Sequence, residues 1–399
     1  MPGYELWGEE EKKHLNDVIE SGILMRYNFE SARNNHWKAK EFEQAIQKRM
    51  HVSHAQLTSS GTTALITALN AAGVGAGDEV ILPTFTFVAS FEAVLSVGAI
   101  PVLVDIDDTL TLDPKAVEKA ISSRTKVIMP VHMCGAMADI SALKELAKKY
   151  KLLLIEDACQ AFGGTYRGKY LGTIGDLGCF SFDFVKTVTC GEGGAVVTNK
   201  DEYYVHADQY TDHGHDHIGN NRGAENHPYL GLNYRISELH AAVGLAQFEK
   251  LDQILSIQRK NKKVLKDALK EVEGVNFRRV PDEAGDNASF LSIFLPSQEL
   301  AKKVSLELSS KGIGNAYWYD NNWHYIRKWD HLKLLKSLAP LYKEHKELLP
   351  NYANADYSQS DDIISKTVTI PISLLWNDEE LAKKAEIIKS AVSSILTKK

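Results

Sequence analysis

Cys179-Phe180-Ser181-Phe182-Asp183-Phe184-Val185-Lys186-Thr187-Val188-Thr189-Cys190-Gly191-Glu192-Gly193-Gly194 is the stretch that decides how the chain folds. Phe180, Phe182 and Phe184 fall at alternate positions, the period of a β-strand. The Gly-Glu-Gly-Gly that closes the stretch lets a chain turn or approach another group closely. Ala195-Val196-Val197-Thr198 then reads as a second strand. Between the two lies Lys186, flanked by apolar and hydroxyl residues rather than by other charges. A lysine desolvated in such a setting gives up its proton more readily and exposes a nucleophilic amine, which a Schiff-base lysine needs. Taken alone, Lys186 reads as a solvated loop residue; its neighbours change that reading.

Upstream, Lys151-Leu152-Leu153-Leu154-Ile155-Glu156-Asp157-Ala158-Cys159-Gln160 is an apolar strand that ends in a carboxylate. Further upstream, Thr58-Ser59-Ser60-Gly61-Thr62-Thr63-Ala64-Leu65 sets small hydroxyl residues where a helix begins. Free N–H groups and the dipole at such a start suit a phosphate. A carboxylate, a lysine and an anion-binding turn are the set that pyridoxal 5′-phosphate requires: an acid for its pyridine nitrogen, an amine for its aldehyde and donors for its phosphate.

Four motifs carry a resemblance: Ser60-Gly61-Thr62-Thr63-Ala64-Leu65, Ile155-Glu156-Asp157-Ala158, Ser181-Phe182-Asp183-Phe184-Val185-Lys186 with Gly191-Glu192-Gly193-Gly194, and Gly231-Leu232-Asn233-Tyr234-Arg235. In order and spacing they resemble the sugar aminotransferases of the DegT/DnrJ/EryC1/StrS group, within the fold-type I pyridoxal phosphate enzymes. The match runs over roughly residues 10 to 260 and is loose beyond. It implies an α/β fold: a large domain, residues 1–255, with an N-terminal arm and a mainly parallel, seven-stranded mixed sheet flanked by helices, then a smaller C-terminal α/β domain, residues 256–399. It implies that Lys186 holds the cofactor and later moves the substrate proton, and that Asp157 keeps the pyridine nitrogen protonated. Ser60, Gly61, Thr62, Thr63 and Ser181 are then expected on the phosphate and ring, Gln160 on the ring oxygen and Phe87 on the ring face. Asn233 is expected to reach the cofactor phosphate of a neighbouring subunit, in a homodimer with shared active sites. The family uses no metal.

The chain has 399 residues, so two domains are the default expectation. Hydrophobic content of 44% and charged content of 25% are those of a soluble globular protein. A net charge of −6 argues against nucleic acid as a partner, and any anionic substrate must be met by local cations. Cys134, Cys159, Cys179 and Cys190 show no metal spacing and read as free thiols in a reducing cytoplasm. The start, Met1-Pro2-Gly3-Tyr4-Glu5-Leu6, shows no basic and apolar leader, and no stretch is long and apolar enough for a membrane span.

The strand at Glu79–Pro83, then Ala99–Asp105, Lys126–Val131 and the Leu152 run alternate with helical segments, a βαβ rhythm that implies a parallel sheet. Ligands in such sheets sit at the carboxyl ends of the strands. The loop after the first helix carries Arg26 and Arg33, candidate substrate contacts. His213-Gly214-His215-Asp216-His217 lacks the helical spacing of a metal motif and looks like a loop, with His215 and Arg222 as further candidate substrate contacts. The patch from Ala316 to Tyr325, with Tyr319 at its centre, suits a sugar face or an interdomain core.

Leu24-Met25-Arg26-Tyr27 with His36-Trp37-Lys38-Ala39-Lys40 looks most like the enzymes that aminate C8 of the eight-carbon sugar acid Kdo for lipopolysaccharide. The resemblance implies conversion of 8-oxo-Kdo to 8-amino-Kdo, with glutamate as donor and 2-oxoglutarate as its product. Arg26 would meet the sugar carboxylate. The alternatives are transamination of a nucleotide-linked keto-hexose and, in a different class, a cofactor-binding regulator without turnover.

Overall fold

The computed structural model describes residues 3–219, 221–341 and 343–397. Met1 and Pro2, at the head of the segment read as lacking a leader, lie outside the described residues, as does Asn220 of the His-rich loop. Among the described residues no helix is long and apolar enough to cross a membrane.

Strands β1 (His54–Thr58), β2 (Glu79–Pro83), β3 (Ile100–Val104), β4 (Thr125–Ile128), β5 (Leu153–Asp157), β6 (Leu177–Ser181) and β7 (Gly194–Thr198) form one 7-stranded sheet, in the order β1-β7-β6-β5-β4-β2-β3. From β6 to β3 neighbouring strands run parallel, and β7 runs antiparallel to both β6 and β1. The sheet is buried on both faces, and alternation along each strand divides its side chains between two cores. In β2, Ile81 enters the core around Phe42, Phe162, Phe180 and Phe248, while Val80 and Leu82 enter the opposite one around Leu65, Phe85, Phe91 and Trp329.

The strand predicted to run through Phe184 stops at Ser181, where the ladder of β6 with β7 ends on Gly194. Phe180 and Phe182 are fully buried, but Phe184 is 53% exposed. The chain turns at Asp183, whose Oδ1 accepts the Val185 N–H, so Phe184 leaves the alternation.

A smaller sheet has β8 (Asn276–Phe277), β9 (Phe290–Phe294), β10 (Ala316–Tyr317) and β11 (Thr367–Pro371), in the order β8-β9-β11-β10, all antiparallel. Helices Leu251–Leu269, Gln298–Ser310 and Asp378–Leu396 close its core. A single cut at residue 255 does not divide the packing. Leu251 and Leu255 belong to the large-sheet core, while Leu265 and Leu269, on the same helix, belong to the small one. Trp318, Tyr325, Trp329 and Tyr352 return to the large sheet. Backbone bonds Thr86 N to His324 O (3.0 Å) and Val88 N to Trp323 O (2.9 Å) lay that returning segment beside the exit of β2.

The two arginines of the early loop are structural, which corrects their assignment as substrate contacts. Arg26 and Glu43 are both buried and paired through two contacts, at 2.8 and 3.0 Å. Glu43 also accepts the Leu57 N–H (2.8 Å), and Arg26 donates to the Leu57 carbonyl (3.3 Å). Leu57 lies in β1, an edge strand, so the ion pair satisfies backbone groups that the sheet leaves unpaired. Arg33 is fully buried, donates to the carbonyls of Asn28, Tyr27 and Met25, and stacks on Trp37 at 3.8 Å.

Arg26→Ala strands a buried carboxylate and is expected to lower unfolding stability by about 3–5 kcal/mol, read from urea denaturation. A variant of wild-type stability with only a raised KM would return the guanidinium to the substrate site.

Candidate active site

The carboxyl ends of β1, β2, β5 and β6 converge on a cavity of ≈ 540 Å³, the position expected of a ligand site in an open α/β sheet. Lys186 lines it from the loop after β6. Phe182 closes that loop at its base, its N–H donating to Gly193 (2.8 Å) and its carbonyl accepting from Cys190 (2.9 Å). Among the described residues nothing accepts a hydrogen bond from Lys186 Nζ, and no other lysine or arginine lines the cavity.

Asp157 lines the cavity from the end of β5 and is 3% exposed. Its Oδ2 accepts from Ser90 Oγ (2.9 Å) and its Oδ1 from the Cys159 N–H (3.1 Å). Ser90 Oγ spends its proton on Asp157, so Thr86 Oγ1, 2.6 Å away, donates to Ser90. Thr86 and Ser90 also line the cavity. Sequence reasoning missed this pair, though both follow directly on the carboxyl end of β2, where the parallel-sheet rule points. Cys159 lines the cavity beside Asp157, and burial, then the Asp157 charge, push its thiol well above the ordinary range.

Ser60, Gly61 and Thr62 line the cavity at the start of the Gly61–Ala71 helix. Ser60 Oγ caps the helix by accepting the Thr63 N–H (3.1 Å), which leaves the Gly61 and Thr62 N–H groups without a partner among the described residues. A Cβ on Gly61 would lie 2.6 Å from the Ser181 Cβ, and one on Gly194 would collide with the Ser60 carbonyl, so both glycines are needed for this turn to seat against β6 and β7. Thr63, expected on the phosphate, is turned back to Ser60 and does not line the cavity. Ser181 and Gln160 do, and Gln160 Oε1 is fixed by the Cys134 N–H (3.1 Å).

Phe87 lines the cavity at 38% exposure. From the aromatic patch the structure brings in Trp318, Trp323 and His324, whereas Tyr319 packs against Tyr325 (5.7 Å) and lies outside the lining. Burial, then the Lys186 charge, push His324 down to about 3, so its ring is neutral.

Neither His215 nor Arg222, expected as substrate contacts, lines this cavity. His215 Nδ1 lies 2.8 Å from Glu225, and Arg222 bonds the buried Asp212 (2.6 Å). Asp212 also pairs with Arg235 and with His217 Nε2 (2.9 Å), while His217 Nδ1 meets Asp208 (2.6 Å) and its ring stacks on Tyr27 (4.3 Å). This network ties the His-rich loop to the N-terminal arm. Among the described residues no group of three or more His, Cys, Asp or Glu is placed to hold a metal ion. Asn233 is exposed and lies outside the cavity of its own chain.

The description of the DegT/DnrJ/EryC1/StrS aminotransferase family matches residues 6–389. The chain belongs to that family. It is 44% identical over 221 residues to the GDP-perosamine synthase of Caulobacter vibrioides, covering 55% of this chain and 58% of the relative. It is 41% identical over 237 residues to the L-glutamine:2-deoxy-scyllo-inosose aminotransferase of Micromonospora echinospora, covering 58% and 56%. The chain thus spans less than two thirds of the length of these curated relatives. Among solved structures, 3-amino-5-hydroxybenzoic acid synthase superposes with a TM-score of 0.81 at 30% identity, over 97% of both chains. NtdA of Bacillus subtilis with bound cofactor PMP gives 0.79 at 25%, over 98% of this chain and 84% of that one. The family's cofactor, pyridoxal phosphate, fits the residues present: an unbonded amine, a buried carboxylate and unpaired N–H groups at a helix start, all on one cavity.

Burial pulls His217 down, but its bonds to Asp208 and Asp212 outweigh that and raise it to about 9. A raised folded value means that its contribution is complete below the ordinary histidine value and is lost as pH rises through about 9. The melting-temperature gap between wild type and His217→Gln is therefore expected to be wide at neutral pH and to close above that value. A gap that ignores pH would show that the imidazolium does not hold the loop.

Proposed function

We propose that this chain transfers an amino group from glutamate to a carbonyl carbon of a sugar, using pyridoxal phosphate, and that the sugar is the eight-carbon acid 8-oxo-Kdo. The observation that carries the transamination reading is that Lys186 and Asp157 line one cavity. Bound pyridoxal phosphate supplies an electron sink for the negative charge that develops when the substrate carbon loses its proton. Asp157 holds a proton on the pyridine nitrogen, oriented by Ser90 and the Cys159 N–H. Lys186 would hold the cofactor's aldehyde carbon, and its amine would serve as the base and acid that moves the substrate's proton. The Gly61 and Thr62 N–H groups would bind the cofactor's phosphate, helped by Ser60 and Ser181. Phe87 and Gln160, which also line the cavity, would contact its ring.

The sugar acid is supported by the resemblance of the Leu24–Tyr27 and His36–Lys40 segments and by the charge of the cavity. Lys186 is the cation among the described lining residues, and it is committed to the cofactor, while Asp183 and Glu192 add negative charge. That lining suits a nucleotide diphosphate less than a substrate with one carboxylate. Since Arg26 and Arg33 are spent elsewhere, that carboxylate falls to neutral donors or to a second copy of the chain. A second copy is also supported by Asn233, exposed outside its own cavity, and by exposed apolar residues on the segment that leads to it: Leu230 at 95% and Ile218 at 75%. The likeness to GDP-perosamine synthase favours a second reading, a nucleotide-linked keto-hexose.

Enzyme carrying the aminated cofactor is expected to regain its visible absorbance on addition of 8-oxo-Kdo. Efficient turnover of a GDP-linked keto-hexose with no response to the acid would select the second reading. Asp157→Asn should keep the cofactor and lose on the order of 10²-fold in turnover, and Ser90→Ala about tenfold. Mixing Lys186→Ala with Asn233→Asp chains should restore activity in hybrids. No recovery after confirmed subunit exchange would confine Asn233 to its own subunit.

A further inference from the structure

Gly3–Leu6 forms a short 3₁₀ turn that lies across the Lys186 loop. The Gly3 N–H donates to the Lys186 carbonyl at 2.9 Å. The Tyr4 ring lies flat on Phe184, with centroids 4.4 Å apart and 6° between planes. Glu5 accepts from Ser373 Oγ (2.9 Å) and the Leu374 N–H, beyond the last strand of the small sheet. The Leu6 carbonyl accepts from Lys250 Nζ (2.7 Å), which also pairs with the buried Glu11 (2.7 Å). Four residues cannot hold a helical turn by local propensity, so this strap owes its shape to four anchors distant in sequence. Those anchors bring Tyr4 into the wall of the main cavity, with Phe87, Val185 and Trp323. Tyr4 also lines a second cavity of ≈ 290 Å³ with Trp376 and Lys384.

We propose that Tyr4 is a specificity-determining wall of the sugar subsite and that the strap holds it there; this rests on the sugar-aminotransferase reading above. A sugar presents a flat set of C–H groups bordered by hydroxyls, which an aromatic face with a polar tip accommodates. The stack on Phe184 fixes one face of Tyr4, so the ring meets its ligand without losing rotamer freedom at the moment of binding. Glutamate has no ring to lay against this wall. The two half-reactions therefore depend on Tyr4 to different degrees, although both use Lys186.

The half-reactions are measured separately on full-length enzyme: loss of visible absorbance with glutamate, and its return with the keto sugar that wild type turns over best. Tyr4→Ala is expected to raise the half-saturating sugar concentration roughly tenfold or more and to leave that of glutamate within about twofold. Binding of the amino-sugar product to cofactor-free protein, read by calorimetry, should weaken in the same ratio. Tyr4→Phe should keep most of the affinity. Gly3→Ala should shift the sugar value in the same direction, because its Cβ would collide with Gln247 Oε1 and lie 2.6 Å from the Thr187 carbonyl oxygen. Equal weakening of both half-reactions in Tyr4→Ala would make the ring a prop for the Lys186 loop and overturn the proposal, as would no change in either. A wild type active on a sugar with Tyr4→Ala unchanged overturns Tyr4 alone; a wild type inert to every keto sugar overturns the substrate reading as well.

Discussion

The site depends on where one ladder ends. β6 and β7 pair antiparallel as far as Ser181 and Gly194, and the residues between them must leave the sheet together. They do so as a loop pinned by Phe182, whose ring is buried against Phe42 (5.0 Å) and edge-on to Phe162 (5.2 Å, 86°). The aromatic core thus fixes the base of the loop, and Lys186 projects from its far side over the carboxyl ends of the parallel strands. Because β7 runs against its neighbours, it also delivers Gly194 beside Ser60, so one strand reversal sets both the lysine loop and the helix start.

What was legible in the sequence was local or periodic. The apolar runs of β2 to β5 announce strands buried on both faces, and the hydroxyl-rich start of the Gly61 helix announces its cap. Asp157 and Ser60 stand on such features, Lys186 and Phe87 are picked out by the resemblance of their motifs, and all four line one cavity. Arg26 and Arg33 were illegible because their fate depends on partners: a loop arginine looks solvated until a helix presents Glu43 and an edge strand presents Leu57. Tyr319 was misplaced for a related reason. The segment around it lies beside residues 84–88, and only the register of that contact decides that Trp323 and His324 face the cavity. Thr63 looked like a phosphate donor because capping and phosphate binding call for the same residue types at the same turn. Tyr4, far from every motif, carried no signal.

Charge is distributed with the same dependence on distant partners. The arginines of the N-terminal arm and the His-rich loop are consumed by Glu43, Glu238 and Asp212, the last of which burial would raise but His217, Arg222 and Arg235 hold far below the carboxylate range. These networks join the loop that carries Arg26 and Arg33, the edge of β1 and the loop that leads to Asn233. The cavity itself is left poor in cations and rich in aromatic surface, an environment that discriminates by shape and hydrogen bonding more than by field.

The adjacent carboxylates Glu156 and Asp157 meet opposite surroundings. Alternation along β5 sends them to opposite sides of the sheet. Glu156 is fully buried and accepts from His132 Nε2 (2.9 Å) and from the N–H groups of Gly172, Ile174 and Gly175. The Ala138 N–H donates to His132 Nδ1, so Nε2 carries the proton that His132 gives to Glu156. Burial would raise Glu156, but these donors outweigh it and lower it, leaving the carboxylate saturated and inert. Asp157 receives two hydrogen bonds, from Ser90 and Cys159, and retains acceptor capacity toward the cavity. A polar group entering that cavity therefore meets a carboxylate that is already oriented and still has acceptor capacity to offer, which Glu156 does not.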